Sequence, residues 1–422
     1  MIWSRRNFLR NTVITSAAGA ALAKPLRFAQ TQPVSAMAHR NVDENTVPAG
    51  ARIAINDLLE QGAQLQRGSK VLVIAYLNGL YGGDNVVDRQ AIHWIEQGIR
   101  DRGGDPQILW VDEQTRQNEW KFPDVVRQAM GGTDVVINHS FDLVVEEILA
   151  FREYTETEHS IPMIRNFATT APLLCTAWAQ TPQELVSEIR YQAATHIVPG
   201  AKWELSDPLG THLEGSIRPA RNPVKGYAVR REEGTYRPWP EWVCPPIGLV
   251  DTSGEVVFDR MLSWWSRYIG ISPYFEKPIR ITVRSGRMVR IEGGSEAEKL
   301  NTFLRSLQER LGESVYDFDT LHFGVHPQAR VSEYQCPSLL YRRLIEHSDS
   351  HNLHVHVGSP KATASYPYWP HITGDLRHPT FRIGDYEMHK EGHLSVLDDP
   401  KVKAVAAKYP GRPGLANEPF EG

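Results

Sequence analysis

Apolar and polar positions alternate along this chain with two different periods. "SKVLVIAY" (Ser69 to Tyr76), "DVVINHS" (Asp134 to Ser140) and "IPMIRNF" are short, almost unbroken apolar runs, the mark of strands buried on both faces. Between and around them, "VVDRQAIHWIEQGIRDRG" (Val86 to Gly103), "FPDVVRQAMGG", "LVVEEILAFREY" and "PQELVSEIRYQAATHIV" carry helical spacing, and "QILWVD" is a further strand. Strands separated by helices of this length predict a parallel sheet with helices on both faces. Residues 50–200 therefore read as a doubly wound α/β domain.

From residue 201 the texture changes. "AKWELSD", "GYAVRR" and "GEVVFD" are short strands, and "IRITVRSGRMVRIEGG" predicts a hairpin turning at Ser285-Gly286. "SEAEKLNTFLRSLQERLG" is a helix for which Ser295 and Glu298 offer a capping box. "SLLYRRLIEHS" is a shorter helix, and "SYPYWPHITGDLRHPTF" reads as a loop rich in proline and aromatic residues. Residues 201–422 thus predict a β-rich α+β domain. "NLHVHVG" (Asn352 to Gly358) alternates with period two, so His354 and His356 share one face of a strand.

The start of the chain is different again. "SRRNFLR" (Ser4 to Arg10) holds an arginine pair, and a weakly apolar, alanine-rich run to Ala23 follows. A basic start, a short apolar run and small residues before Ala23 or Ala38 read as a twin-arginine export signal and linker over residues 1–38. The run is too short for a stable membrane anchor. It predicts passage through the twin-arginine machinery and a periplasmic protein.

Composition narrows the function. With 46 Lys+Arg against 50 Asp+Glu, the net charge of −4 gives no basis for nucleic-acid binding. Three cysteines, Cys175, Cys244 and Cys336, form no disulfide or metal-knuckle pattern and read as buried thiols. No GxGxxG or GxxxxGK[ST] follows a strand, which argues against a nucleotide site. Of 16 histidines, ten stand at or beyond His322. His322, His326, His354, His356 and His371 recur in or beside short strands next to Gly or Pro, a pattern suited to an open metal site. His347, His351, His378, His389 and His393 read as surface or loop residues. His139, at the end of an apolar strand, stands where open α/β sheets usually bind ligands.

The second half resembles the family that joins aminopeptidases T and S to 2,5-dihydroxypyridine 5,6-dioxygenase. The pieces that carry the resemblance run in order: "SDPLGTHLEGSI", "PPIGLVDTSGEVVFD", "PIRITVRSGRMVRIEGGSEAEKL", "HFGVHPQA", "NLHVHVG" and "HITGDLRHPTF". The peptidase branch holds two metals, zinc or cobalt, with glutamates. This chain has Leu249 and His322 at two of those places. The resemblance therefore implies the dioxygenase branch: one Fe(II), with His322 and His371 as ligands. The expected carboxylate position holds Thr373, which leaves Asp375 or His354 to complete the set. His139 or His356 then serves as proton carrier, and Tyr366, Tyr368 and Trp369 can wall an aromatic substrate that reacts with O2. A homo-oligomer is the usual form of such relatives. The alternatives are an exported metallo-aminopeptidase-like hydrolase and an inactive binding protein of the same fold.

Overall fold

A computed structural model of the chain describes residues 46–76, 87–111, 124–139, 160–219, 226–230, 236–262, 266, 270–318, 320–336, 338–358 and 372–415. The export signal and the helix expected at "LVVEEILAFREY" lie outside them. No helix among the described residues is long and apolar enough to cross a membrane.

The first half runs α1 (Ala49–Asp57), β1 (Lys70–Tyr76), α2 (Arg89–Asp101), β2 (Asp105–Val111), α3 (Asp124–Met130), β3 (Val135–His139), β4 (Met163–Asn166), two single-turn helices α4 (Ala171–Leu174) and α5 (Ala177–Gln180), and α6 (Gln183–Thr195). In β1, Val71 to Ala75 are all essentially inaccessible, as the unbroken apolar run predicts. Helix α2 starts where the Asp88 side chain accepts from the Ala91 amide at 2.6 Å. It buries Ala91, Ile92, Trp94, Ile95 and Ile99 against the sheet and stops before Gly103, whose φ is 75°.

Strands β5 (Lys202–Ser206) and β6 (His212–Ile217) follow, then β7 (Tyr236–Trp239). The first sheet is parallel throughout, in the order β2-β1-β3-β4-β7. That order reverses between β1 and β3, the place where doubly wound sheets open a crevice at their carboxyl edge. Two elements stand across the residue-200 division read from the sequence. Strand β7 returns to pair with β4, while α6 buries Leu185, Val186 and Ile189 in the second core.

The remainder is β8 (Ile247–Arg260), β9 (Tyr274–Arg284), β10 (Arg287–Glu292), α7 (Ser295–Leu311), β11 (Thr320–Phe323), α8 (Leu339–Glu346), β12 (Asn352–Val357), β13 (Ile372–Arg377), β14 (Thr380–Ile383), β15 (Tyr386–Lys390), β16 (His393–Leu394) and α9 (Pro400–Ala406). They form, with β5 and β6, a large antiparallel sheet. Its main path is β13-β12-β11-β8-β6-β5-β14-β15-β16, and β9 joins β8 to β10. The hairpin turn falls at Ser285-Gly286 as expected, with φ of 47° and 77°. The fold is thus a mixed one, a parallel sheet beside a large antiparallel one.

Four local readings change. "GYAVRR", read as a strand, forms none over the described residues 226–230. Helix α7 is capped by Gly294 without a side-chain bond, so Ser295 begins the helix and forms no capping box. Cys175 is exposed, whereas Cys244 and Cys336 are buried. The stretch read as a loop contains strand β13. Its Gly374 lies so close to the Phe258 ring that a Cβ would sit 2.9 Å from ring carbons. The glycine that lowers strand propensity is what lets the strand pack.

Helix α8 is shared by the two cores' surroundings. Its Tyr341, Leu344 and Ile345 belong to the apolar cluster of the parallel sheet. In β12, Leu353, Val355 and Val357 belong to the cluster of the antiparallel sheet. His354 and His356 therefore face away from that cluster, on the side where α8 lies.

Candidate metal centre

The face opposite Leu353 and Val355 is polar yet buried. In register, His322 of β11 stands against His354 of β12, and His354 against Asp375 of β13. Two residues along, His356 stands against Thr373. Each cross-strand neighbour is close enough for side chains to meet. His322, His354 and His356 offer one ring nitrogen apiece, all within 4.8 Å of one another. Their ring centroids are 5.0, 4.8 and 5.7 Å apart for the pairs 322–354, 322–356 and 354–356.

Neighbours hold two of the rings by Nδ1. The Nδ1 of His322 is 3.2 Å from the Cys244 carbonyl oxygen, and that of His356 is 2.8 Å from Thr320 Oγ1. The Cys244 carbonyl is fixed because residues 242–244 run beside β11: the Cys244 amide donates to the Phe323 carbonyl, and the Val325 amide to the Trp242 carbonyl. Both contacts leave Nε2 to face a metal, the usual arrangement of ligating histidines. With metal–nitrogen bonds of about 2.1 Å, ligand atoms lie at most about 4.2 Å apart, so the rings close by roughly half an ångström around an ion. Three imidazoles, two of them held at Nδ1, fit a borderline divalent metal that keeps open positions.

Asp375 lies beside this group, but its carboxylate is engaged elsewhere. Arg343 of α8 donates to Oδ2, and His347 Nδ1 lies 3.1 Å from Oδ1. Arg343 also donates to Glu346 at 2.5 Å. Burial alone would push the Asp375 carboxyl up; the Arg343 guanidinium and the His347 bond outweigh it and hold the group below its ordinary value. Thr373, at the place of the expected carboxylate, is buried and offers only a hydroxyl.

His347, read from the sequence as a surface residue, is buried, and so are His351 and His389. The His347 ring stacks on His354 with centroids 3.4 Å apart and planes at 30°. The signal that marks it is its spacing: Arg343 and His347, four apart, fall on one side of a helix whose other side is apolar. Trp242 lies 6.4 Å from His347 and 4.9 Å from Phe167, and the Arg165 guanidinium covers both Phe167 and Trp242.

His139 and His326 do not join this group. His139 ends β3 in the parallel sheet, beside Ala75, fully buried and, among the described residues, with no hydrogen-bond partner for either nitrogen. Burial pushes its pKa down to about 3, so the ring is neutral near pH 7. His326 is also buried, accepts from the Gln328 amide at 3.1 Å and is likewise pushed down to about 3 by burial. His371, Tyr366, Tyr368 and Trp369 lie outside the described residues.

Fold and site together define a mixed α/β chain with a histidine-rich group able to hold a metal. Residues 175–340 match the family model of 2,5-dihydroxypyridine 5,6-dioxygenase (NicX). That segment includes His322 and ends before His354 and His356. Among solved structures, the 2,5-dihydroxypyridine dioxygenase of Pseudomonas putida KT2440 aligns over 82% of this chain and 98% of its own, at 12% identity and a TM-score of 0.56. Wild-type AmpT from Thermus thermophilus aligns over the same shares, at 10% identity and a TM-score of 0.47. No curated protein matches the chain. The resemblance read from the sequence is thus met by the family model and, at the level of fold, by the dioxygenase structure.

Proposed function

We propose that this chain is a mononuclear non-haem iron dioxygenase that opens a hydroxylated (hetero)aromatic ring. The observation that carries this reading is the meeting of His322, His354 and His356 on paired strands, in a chain whose middle matches the 2,5-dihydroxypyridine dioxygenase family. His322, His354 and His356 hold the iron through Nε2 or its equivalent, and His356 thereby acts as ligand rather than as the proton carrier expected from the sequence. His371 remains a proposed ligand from the resemblance. Bound Fe(II) supplies the electronic coupling that lets a dihydroxylated ring react with O2, both oxygen atoms ending in the opened product.

The chain's own residues do the rest. Thr320 and the Cys244 carbonyl keep two ligand rings aimed. Trp242, half-buried beside His347, offers an apolar face for a flat substrate. His139, buried at the end of β3 and outside the histidine group, takes no part in this reading. The hydrolase alternative needs carboxylates that this chain lacks: Leu249 is a buried apolar residue, and no carboxylate joins the three histidines among the described residues.

Metal analysis of anaerobically purified protein tests the reading. One iron per chain is expected; two zinc or cobalt ions would favour the hydrolase, and none the binding protein. We further propose export by the twin-arginine route to the periplasm. Changing Arg5 and Arg6 to Lys should retain the protein in the cytoplasm, and normal export of that variant would refute the route.

A further inference from the structure

We infer that Arg343, Asp375 and His347 form a positioning relay for the metal face: Arg343 anchors Asp375, Asp375 fixes the His347 ring, and His347 fixes the ring plane of His354. This inference rests on the metal reading above.

The backbone sets the relay up. Asp375 is the direct register partner of His354, so its side chain leaves β13 on the same face. Both of its oxygens then meet α8 and its end, one Arg343 and the other His347. Arg343 and His347 are four residues apart and so emerge from the same side of that helix. All three groups are buried, with side-chain exposures of 2% for Arg343 and 5% each for Asp375 and His347. Glu346 holds the Arg343 guanidinium at its other edge.

That burial decides the role of Asp375. If its carboxylate swung toward a metal, Arg343 would lose one of its two buried acidic partners, a costly arrangement. Asp375 is therefore better suited to hold His347 than to ligate. The bond to the Oδ1 acceptor calls for a proton on His347 Nδ1 and fixes the ring's rotation. A ring so fixed, stacked at 3.4 Å on His354, limits rotation of the ligand ring beneath it. Restricting a ligand imidazole before the metal arrives raises affinity, since less freedom is lost on binding.

The probe is cobalt(II), titrated anaerobically into the full chain, with affinity and the visible absorption of the bound ion as readouts. His347→Ala removes the stacked ring and should weaken cobalt binding about 10- to 100-fold. His347→Phe restores a flat ring without a nitrogen and should recover most of that loss, with a wild-type-like spectrum. Asp375→Asn should weaken binding in the wild-type background and have no further effect when added to His347→Ala, because Asp375 acts through His347. Three results would overturn the relay: wild-type affinity in His347→Ala, equal losses in the Ala and Phe variants (His347 would then be a ligand), or a loss from Asp375→Asn that persists in the His347→Ala background (Asp375 would then touch the metal). Wild-type protein that binds no cobalt brings down the metal reading itself, and the relay with it.

Discussion

In β5, Lys202 and Glu204 alternate with Trp203 and Leu205, and the polar side meets solvent. In β12, His354 and His356 alternate with Leu353, Val355 and Val357, and both sides are buried. The sequence pattern is the same and its meaning is opposite. Alternation on a half-exposed strand records where water is. Alternation on a strand covered on both faces records a polar surface that the fold has taken out of water, at a free-energy cost that hydrogen bonds or a bound ion must offset. The difference comes from α8, which lies over the polar face of β12, whereas β5 has no such cover over Lys202 and Glu204.

Substitutions on the two strands can break or sharpen this comparison. The largest effect is expected within β12. His354→Ala should abolish iron or cobalt binding, measured as metal per chain. Leu353→Ala, one residue away and facing the apolar core, should instead destabilise the metal-free protein by about 2–5 kcal/mol in a denaturant titration. If both variants lose metal equally, or both only lose stability, the two faces do not have separate roles.

Acid should come next. His139, His326 and His389 are each pushed down to about 3 by burial. An unfolded histidine titrates near 6.5, so as pH falls below about 6.5 the unfolded chain takes up protons that these buried rings refuse, and stability falls. Asp57 acts in the other sense. Burial raises it to about 6, so below that pH the folded state binds a proton before the unfolded one does and gains stability. Three groups oppose one, and the net loss between pH 6.5 and 5 should be on the order of several kcal/mol by denaturant titration. Stability unchanged over that range would contradict the neutral, buried state of these rings.

A smaller effect is expected at Thr320, whose hydroxyl holds His356. Thr320→Val keeps the shape and removes the hydroxyl, and should weaken metal binding about 10- to 100-fold with little change in fold. The smallest is on β5. Glu204→Ala should change stability by no more than about 0.5 kcal/mol and leave metal affinity untouched. A large effect there would mean that the polar side of β5 also has a buried partner.

Much of the architecture was legible because burial on both faces writes a distinct pattern. "KVLVIAY" and "VVINH" could be read as covered strands without knowing their partners, and "NLHVHV" gave the shared face of His354 and His356. What sequence pattern missed depends on contacts between distant segments. Strand β13 was read as a loop because Gly374 and Asp375 are poor strand formers; the Phe258 ring, more than a hundred residues earlier, is what makes the glycine fit. His347 reads as a surface residue because its four-residue spacing from Arg343 gains meaning only once Asp375 and His354 lie against it. His326 joined the proposed imidazole group by proximity in sequence to His322. The strand ends at Phe323 and the chain turns only after His326, whose ring is held by the Gln328 amide instead.

Helix α8 gives the site a reach beyond its own sheet. Its apolar side is part of the parallel-sheet core, through Tyr341, Leu344 and Ile345, while Arg343 and the adjoining His347 grip the metal face. Whatever an ion contributes to holding His354 is therefore also felt as resistance to lifting α8 away from the first core. An ion present at about a hundred times its dissociation constant adds about 2.7 kcal/mol to the folded state. If α8 opens only when both attachments release, that energy should appear as slower amide exchange in Tyr341, Leu344 and Ile345, residues that touch no ligand. Occupancy of a site in one half of the molecule then becomes measurable as the lifetime of hydrogen bonds in a helix that also belongs to the other half.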